Sequence, residues 1–556
     1  MQAACRWGGP RAFSGVQVER PARFLWRAVP GGSGDWKSFP NVEEPWCSGW
    51  TSYRGNSEVP HGISPRPSRA RGRGAHHHGF MRLRLIVSYV PRYQRGHRWQ
   101  FVPPVTGIHL AALTPTSWEV QLVHEQARPV PIRADVDLVA ISFFAGFARR
   151  AYEVADAYRR LGVRVVLGGP HVTFWTEEAL THADAVVTGE AESVWEQVLA
   201  DCEKGRLGGV YRGEPRDMGG LPTPRYDLLE PTFLVPRVLQ ATRGCPFSCS
   251  FCTVPALQPG FRTRPVAEVV RDIATTHFSH YWQEKVAWFW DDNLLVPRRW
   301  AKELLGELVH LDRWWLTQAS MDIVDDAELL GLMERSGCIG IFLGIESFDG
   351  EALRSVNKRP NRLERYRHAV RALHDRGICV MGGFIAGFDN QAADSIVRVA
   401  DQLQDLEIDV PFLSILTPFR GTALYEQHRD QGRLLERRGW DHYNGYNVAF
   451  RPRRMDPEQL LTAHRALWNR SFSPGRVLGR LRRGIGQLRP GAMMLSAAMN
   501  GFYGLKQLTG NEPATAPVAA DREARTVPAR PPRGVPPGLD ALPRPPSESG
   551  YPGLQW

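Results

Sequence analysis

The sequence predicts two successive α/β domains, a doubly wound parallel sheet followed by a partial (βα)6 barrel. Strand-like runs alternate with amphipathic helical segments over residues 81–202 and again over residues 237–455. Residues 203–236 hold Gly, Pro and short polar pieces, which is typical of a linker. A chain of 556 residues is too long for one hydrophobic core, so more than one domain is expected.

The two ends of the chain differ in composition from its middle. Residues 1–80 are rich in Gly, Pro, Arg and Trp and show no helical or strand periodicity. We predict that they are disordered or a spurious N-terminal extension, because a strand-like run follows Met81 at once. Residues 510–556 are rich in Pro and Ala, which predicts a disordered tail.

The first domain alternates apolar strand-like runs with helical patterns. One helix carries its apolar side chains at Ala151, Val154, Ala155 and Tyr158, which is helical spacing. A pair of glycines follows the next strand, and ligands of doubly wound sheets bind at that edge. The predicted strands are Leu83–Val87, Trp118–Val123, Leu138–Ser142, Val163–Leu167 and Ala183–Val187.

The second domain repeats a strand and a helix six times, which predicts the partial barrel. Chemistry in such barrels lies at the carboxyl ends of the strands. Residues 456–509 predict a small helical region whose apolar residues are surrounded by arginines. This region either packs on the barrel or touches an anionic membrane surface. The predicted barrel strands are Val238–Thr242, Val286–Asp291, Trp314–Ala319, Ile339–Gly344, Ile378–Gly387 and Val410–Leu416.

Three closely spaced cysteines follow the first barrel strand. Cys245, Cys249 and Cys252 are separated by three and then two residues. A structural zinc site wants four ligands in two pairs, and no second pair exists here. Three thiolates on a four-iron cluster leave one iron open for a substrate or cofactor, and cysteines at short spacing bind such clusters. The spacing is therefore typical of three thiolate ligands to one iron–sulfur cluster.

The overall composition bears on the cellular compartment of the protein and on its partners. The other five cysteines are scattered, which fits a reducing compartment, and we expect a cytoplasmic protein. No apolar run is long enough to span a membrane, and arginines interrupt the N-terminus where a secretory signal would be apolar. Of the net charge of +11, six charges fall in residues 1–80, with 11 Lys and Arg against 5 Asp and Glu. The charge therefore gives no reason to expect a nucleic-acid partner.

The cysteine spacing, with Phe251 before the last cysteine, resembles the radical S-adenosylmethionine superfamily. The resemblance implies a [4Fe–4S] cluster whose open iron chelates the amino and carboxylate groups of S-adenosylmethionine. An electron from the cluster then cleaves the cofactor, and a 5′-deoxyadenosyl radical removes a hydrogen atom from the substrate. It also implies an electron donor such as flavodoxin or ferredoxin.

The resemblance also assigns cofactor-contacting residues at later strand ends. Asp291 and Asp292 occupy the position where the family often has Gly-Gly-Glu, and the hydrogen-bond acceptor at that position binds the methionine amine. Alternatively, the two aspartates form a helix N-cap. Glu346 and Ser347 correspond to the strand end that contacts ribose and carboxylate. The strand that flanks the adenine corresponds to Gly383, Ile385 and Gly387.

The domain that precedes the barrel resembles the cobalamin-binding domain of one class of these enzymes, with a Rossmann-like, flavodoxin-like fold. The matching strand ends are Ser142 and the pair Gly168 and Gly169. The chain lacks the Asp-x-His-x-x-Gly loop that supplies a cobalt ligand in classical cobalamin proteins. The resemblance therefore implies cobalamin without a histidine ligand, or no cobalamin.

The function implied is methylation of an unactivated carbon or phosphorus centre of a small-molecule or lipid-like substrate. One alternative keeps the radical chemistry but performs an oxidative cyclisation or a rearrangement. The other is a sensor that binds cobalamin or a cluster without catalysis. Labelled methyl groups in the product would separate methylation from cyclisation, and deoxyadenosine production would exclude the sensor.

Overall fold

The structure, a computed structural model, describes residues 80–89, 101–278, 280–358 and 360–510. The expectations for residues 1–79 and for the tail from residue 511 onward lie outside the described residues.

The first domain is built on a six-stranded parallel sheet, as its alternating pattern predicts. Its strand order is β2-β1-β3-β4-β5-β6. The order reverses at β1, which makes the doubly wound topology with a switch point between β1 and β3. The strands are β1 (Met81–Val87), β2 (Trp118–His124), β3 (Leu138–Ser142), β4 (Arg164–Gly168), β5 (Ala185–Gly189) and β6 (Gly209–Gly213).

Helices cover both faces of this sheet and bury its apolar side chains in two clusters. The helical spacing at Ala151, Val154, Ala155 and Tyr158 is confirmed, since all four residues are buried in one helix. The helices of this domain are α1 (Val105–Leu113), α2 (Ala148–Arg160), α3 (Pro170–Phe174), α4 (Thr176–Thr181) and α5 (Trp195–Glu203).

The boundary predicted at residue 202 falls one strand too early. Strand β6 lies inside the predicted linker 203–236 and pairs with β5 along its whole length. The sequence hides this strand because only Val210 and Tyr211 are apolar in it, and glycines stand at both of its ends. Tyr211 is buried in the core of the first domain.

The second domain holds six parallel strands in the order β7-β10-β11-β12-β13-β14, which confirms the partial barrel. The first predicted strand is split, and its second half pairs antiparallel with a separate short strand. The strands are β7 (Val238–Leu239), β8 (Thr242–Arg243), β9 (Arg262–Thr263), β10 (Val286–Phe289), β11 (Trp314–Ala319), β12 (Cys338–Glu346), β13 (Cys379–Ala386) and β14 (Val410–Ile415).

Helices pack on the outer face of the barrel strands and enclose the largest apolar cluster. Four of the described helices follow the last strand, and the last three lie in the range predicted to be helical. The helices are α6 (Val254–Leu257), α7 (Val266–Ala274), α8 (Tyr281–Lys285), α9 (Arg298–Leu308), α10 (Ala327–Arg335), α11 (Gly350–Ser355), α12 (Tyr366–His374), α13 (Ala393–Asp405), α14 (Ala423–Asp430), α15 (Pro457–Ser471), α16 (Pro474–Gln487) and α17 (Pro490–Leu508). None of the described helices is long and apolar enough to cross a bilayer.

The last helix, α17, lies against the inner face of the barrel sheet. Its Leu495 and Met499 form an apolar cluster with Leu316, Cys379 and other inner-face side chains near the amino ends of the strands. A Cβ on Gly340 would lie 2.5 Å from a methyl carbon of Leu495, so the helix approaches the strand closely. The amino-terminal half of the barrel interior is therefore filled, and the carboxyl ends are left for the site.

Candidate cluster and cofactor site

The cysteine loop leaves the barrel after β8 and is held by backbone contacts to later elements. The amide of Ser250 donates to the carbonyl of Val356, and the amide of Leu424 donates to the carbonyl of Ser250. Gly244 begins the loop with φ +87°, and a Cβ there would lie 1.8 Å from the carbonyl oxygen of Gly260. Only glycine fits this position, so the backbone conformation at the start of the loop is fixed.

Cys245, Cys249 and Cys252 are free thiols, and all three are partly buried in this loop. Burial raises the pKa of each thiol, and it raises that of Cys252 to about 12. Iron binding therefore has to displace protons from these side chains. Among the described residues, no three His, Cys, Asp or Glu side chains converge on a single metal ion.

Asn293 fixes the first cysteine from the barrel side. Its Nδ2 lies 3.9 Å from the sulfur of Cys245 and can donate to it. Its Oδ1 accepts from the amide of Ser320, which orients the amide group. Hydrogen bonds to cluster sulfurs tune reduction potential, so this contact can act on the cluster as well as on the loop.

The two aspartates that follow β10 have different surroundings. Asp291 is fully buried, and its Oδ1 accepts from the amide and, at 2.7 Å, the hydroxyl of Thr242; the amide of Ala241 donates to the same oxygen at 3.0 Å. Its carboxylate therefore anchors the connection into the cysteine loop and is not open to a cofactor, contrary to the prediction. Burial raises the pKa of Asp291 to about 7, while these donors lower it.

Of the two aspartates, Asp292 is the one whose charge reaches the cysteine loop. It is only partly buried, and its charge acts on Cys245 and Cys252. Burial raises its pKa to about 6, so the group is mainly ionised at neutral pH. A carboxylate in this state can accept hydrogen bonds from an ammonium group.

The carboxyl end of β12 has an irregular backbone. Glu346 has φ +62°, which is uncommon for a residue with a side chain, and the pairing of β12 with β13 shifts register there. Asn361 donates to the carbonyls of Gly344 and Ile345 at 2.8 Å each and holds this shape. Ser347 is buried, and its hydroxyl accepts from the amide of Asp349 at 3.0 Å.

Lys358, which no sequence motif singles out, lies beside Glu346 and the cysteine loop. Its Nζ lies 2.7 Å from Oε1 of Glu346, and its side chain is only 18% exposed. The charges of Glu346, Cys249 and Cys252 raise its pKa although burial, the largest influence, opposes them. The structure therefore places a fixed positive charge beside two of the cysteines.

The strand predicted to flank the adenine presents its glycines to other protein groups. A Cβ on Gly383 would lie 2.7 Å from the ring of Phe342 on the neighbouring strand. Ile385, next on the same face, is only partly buried. Gly387 has φ +106°, and its amide donates to the side chain of Gln391 at 2.7 Å. This turn is therefore stabilised within the protein, and Ile385 is the residue of the three with a partly open side chain.

At the carboxyl edge of the first domain, Ser142, Gly168 and Gly169 come together. Ser142 pairs with Gly168 across β3 and β4. A Cβ on Gly169 would lie 2.9 Å from both the hydroxyl of Ser142 and the carbonyl oxygen of Phe143. Gly169 also has φ +100°, so both its backbone and its surroundings require glycine.

Replacing Gly169 by alanine should destabilise this edge strongly. We expect a loss of about 3 kcal/mol of unfolding free energy from backbone strain and the two close contacts. Gly162→Ala is the matched control, since it has φ +77° but no atom within 4 Å of its Cβ, and it should lose only about 1 kcal/mol. Urea unfolding of the two variants measures the difference, and equal losses would contradict the close packing.

The loop after β1 begins at a buried ionic contact. The hydroxyl of Ser88 donates to Glu125 at 3.2 Å, and Arg150 pairs with the same carboxylate at 2.6 Å. His171, which follows the glycine pair, is buried with its Nε2 3.0 Å from the hydroxyl of Tyr152. His171 therefore has no open side from which to reach a cobalt ion.

A buried ionic network joins the first domain to the cysteine loop. Arg243, two residues before Cys245, pairs with Glu190 at 2.9 Å and also with Glu192. Arg262 of β9 pairs with Glu190 as well. Both carboxylates follow β5, so the turn after that strand is tied to the entrance of the cysteine loop.

Comparison with known proteins gives the family. The Radical SAM superfamily matches residues 239–403, and the B12 binding domain matches residues 111–199. Over 335 residues the chain is 35% identical to bacteriochlorophyllide d C-12(1)-methyltransferase of Chlorobaculum tepidum, covering 58% of this chain and 72% of that protein. It is 28% identical over 369 residues to the C-8(2)-methyltransferase of the same organism, covering 63% and 80%.

A solved structure supports the same architecture. TsrM from Kitasatospora setae, a radical S-adenosylmethionine methyltransferase with cobalamin and a [4Fe–4S] cluster bound, matches with a TM-score of 0.53. The match covers 70% of this chain and 89% of that one at 17% identity, so it shows a shared fold. The two matched domains imply a [4Fe–4S] cluster, S-adenosylmethionine and cobalamin as cofactors. The chain belongs to the radical S-adenosylmethionine superfamily, in the class with an N-terminal B12-binding domain.

Proposed function

We propose that this enzyme transfers a methyl group from S-adenosylmethionine, by way of cobalamin, to an unactivated carbon of a small-molecule substrate. The observation that carries the proposal is the network of Arg243 with Glu190 and Glu192, which ties the edge of the cobalamin domain to the cysteine loop. This contact supports a short distance between the two proposed cofactor sites, which methyl transfer between them requires.

In this proposal Cys245, Cys249 and Cys252 hold the cluster and Asn293 orients the first of them. When bound, the cluster supplies the electron that cleaves S-adenosylmethionine, and cobalamin carries the methyl group. Asp291 keeps the loop in place through Thr242. The protein thus supplies position and exclusion of water, and the cofactors supply the bond chemistry.

We assign the polar ends of S-adenosylmethionine to Asp292 and Lys358. The carboxylate of Asp292 accepts from the methionine amine, because Asp291 is fully engaged within the protein. The ammonium of Lys358 faces the methionine carboxylate, with Glu346 holding its Nζ at 2.7 Å. Ser347 and Gly387 support the shape of the strand ends, and Ile385 packs beside the adenine.

Lys358→Met should weaken cofactor binding while leaving the cluster in place. Loss of a charge-assisted contact costs about 1.5–3 kcal/mol, so affinity for S-adenosylmethionine should fall roughly 10- to 100-fold. Lys302→Met is the control, because this lysine of α9 pairs with Asp326 and Glu328 at the start of α10. Calorimetry of the anaerobic protein measures affinity, and iron content shows whether the cluster remains. Unchanged affinity in the variant would remove Lys358 from the cofactor site.

We assign the cobalamin edge to Ser142, Gly168 and Gly169. Glycine at the last two positions lets a ligand approach the backbone closely. Since His171 is buried against Tyr152, the structure supports cobalamin held without a histidine ligand from this turn. An electron donor such as flavodoxin or ferredoxin would supply the reducing electrons. The cysteines that the structure describes are free thiols, which suits the cytoplasm.

We further propose a planar apolar substrate, with the tetrapyrroles named by the two similar methyltransferases as the first class to test. Trp290 supports this choice, because its side chain is 39% exposed beside the two aspartates that follow β10. Its ring centre lies 5.4 Å from that of Trp288 on the same face of the strand. An exposed aromatic ring at the site can stack on a flat substrate.

Trp290→Ala should weaken binding of a chlorophyllide used as probe. An aromatic pair contributes about 0.5–1.5 kcal/mol, so we expect a loss of roughly two- to tenfold. Trp282→Ala is the matched control, because Trp282 is 46% exposed on α8, away from the strand ends. Quenching of the probe's fluorescence measures binding. Equal binding by both variants would contradict a role for Trp290, and no binding by the unchanged protein would exclude this substrate class.

Methyl transfer can be tested before the substrate is known. The anaerobically reconstituted protein, loaded with cobalamin and a reductant, is given S-adenosylmethionine labelled in its methyl group. We expect label on cobalamin and separate formation of 5′-deoxyadenosine. Deoxyadenosine without labelled cobalamin would favour the cyclase or rearrangement alternative, and neither product would contradict the proposed function.

A further inference from the structure

The C-terminal helix α17 presents an apolar face to its surroundings. Met494, Ala498, Gly501, Leu505 and Leu508 recur at helical spacing and are all exposed, with Leu508 at 68%. The opposite side of the helix, which includes Leu495 and Met499, packs on the barrel. A surface helix of a globular protein normally turns a polar face outward, and this face carries no polar side chain.

Helix α16 adds to the same apolar surface. Its Leu478 is 67% exposed and its Ile485 is 75% exposed, while Gly484 packs against Met493 of α17. The exposed large side chains of the two helices are hereafter the C-terminal apolar face, formed by Leu478, Ile485, Met494, Leu505 and Leu508. Contiguous exposed apolar patches mark interaction sites.

The charge around this face has a single sign. Residues 471–510 contain six cations and no Asp or Glu, the cations being Arg476, Arg480, Arg482, Arg483, Arg489 and Lys506. Arg476 pairs with Asp401, and Arg480 donates to Asn500 within the protein. In the part of the chain that the structure describes, no carboxylate pairs with Arg482, Arg483 or Lys506. The face is therefore apolar with uncompensated positive charge beside it.

We propose that the C-terminal apolar face docks this enzyme on an anionic lipid bilayer. An interfacial helix inserts apolar side chains at the headgroup boundary while cations bind anionic lipid, and this segment carries both parts. A second copy of the chain would bring six more cations and no acidic residue from the same segment, so charge disfavours self-association through this face. This inference does not depend on methyl transfer.

The position of α17 gives the docking a consequence for the barrel. One side of the helix carries the apolar face, and the other packs on the inner strands, with the ring of Tyr503 5.8 Å from that of Phe412. A bilayer on the outer side would therefore lie next to the barrel, at the amino ends of its strands. This arrangement would bring a substrate that partitions into lipid close to the enzyme.

Vesicle flotation of the full chain tests the proposal. We expect binding to phosphatidylcholine vesicles that contain phosphatidylglycerol, and much less binding to phosphatidylcholine alone or at high salt. Leu505→Glu combined with Leu508→Glu should lower the partition coefficient at least about tenfold. Arg482→Gln, which removes an exposed cation, should lower binding to the anionic vesicles roughly fivefold.

The matched control is Ile132→Glu combined with Leu161→Glu, two exposed apolar residues of the first domain. This pair should leave vesicle binding unchanged, and circular dichroism should show that every variant is folded. The proposal would be overturned if the unchanged chain floated with no vesicle, or if the control pair lost as much binding. A concentration-dependent dimer that Leu505→Glu abolishes would assign the face to a second copy instead.

Discussion

Replacing Cys249 by alanine should abolish the iron–sulfur cluster and S-adenosylmethionine cleavage together. Two thiolates from one short loop cannot hold three irons of a cube, so the broad absorption at roughly 400 nm should disappear. Deoxyadenosine formation should fall to background, because no electron reaches the cofactor. Absorption of the anaerobically reconstituted protein and chromatography of its products measure both effects.

The control for this result is Cys202→Ala. Cys202 is a free cysteine too, but it is buried on α5 of the first domain, away from the loop. Its variant should keep the cluster and cleave the cofactor at the normal rate. If Cys249→Ala retained a complete cluster, the assignment of the three ligands would be wrong.

Replacing Glu190 by glutamine should destabilise the protein and impair methyl transfer to cobalamin more than cleavage of S-adenosylmethionine. Glu190 is the shared partner of Arg243 and Arg262, and its side chain is only 7% exposed. Removing its charge leaves two largely buried guanidinium groups short of a partner, at a cost of about 3 kcal/mol. Urea unfolding should show this loss. Labelled methyl transfer to cobalamin should fall more than deoxyadenosine formation, because the cobalamin edge is no longer held at the cysteine loop.

Glu177→Gln provides the comparison for Glu190. Glu177 is an exposed acid in α4 of the same domain, and removing its charge should change neither stability nor methyl transfer. Equal stability of the two variants would show that the network does not hold the domains together. A parallel fall of methyl transfer and deoxyadenosine formation in Glu190→Gln would show that it acts on the cluster alone.

The sequence predicts the architecture of this protein because its strands are buried and its helices are amphipathic. The apolar run at Leu138–Ser142 and the helical spacing from Ala151 to Tyr158 both appear as predicted. The sequence does not reveal strand β6, because its two apolar residues between glycines show no alternation of apolar and polar positions. The three candidate cluster ligands can be predicted from the cysteine spacing alone, because side chains this close in sequence can share one cluster.

The rest of the site depends on contacts that the sequence does not display. Lys358 is one lysine among many cations, and only the turn after α11 brings its Nζ to Glu346. Asp291 and Asp292 are neighbours of the same type, and their roles differ because one carboxylate is used by Thr242 and Ala241. The pairing of Arg243 with Glu190 crosses a domain boundary, which no local pattern reveals.

The most direct test of the proposed cluster is iron and sulfide analysis of the anaerobically reconstituted protein. Electron paramagnetic resonance is recorded before and after S-adenosylmethionine is added. We predict about four irons per chain and a spectrum that changes when the cofactor is added, because one iron has no protein ligand. If the protein assembles no such cluster, or if S-adenosylmethionine leaves the spectrum unchanged, the result would contradict a three-cysteine cluster with one open iron.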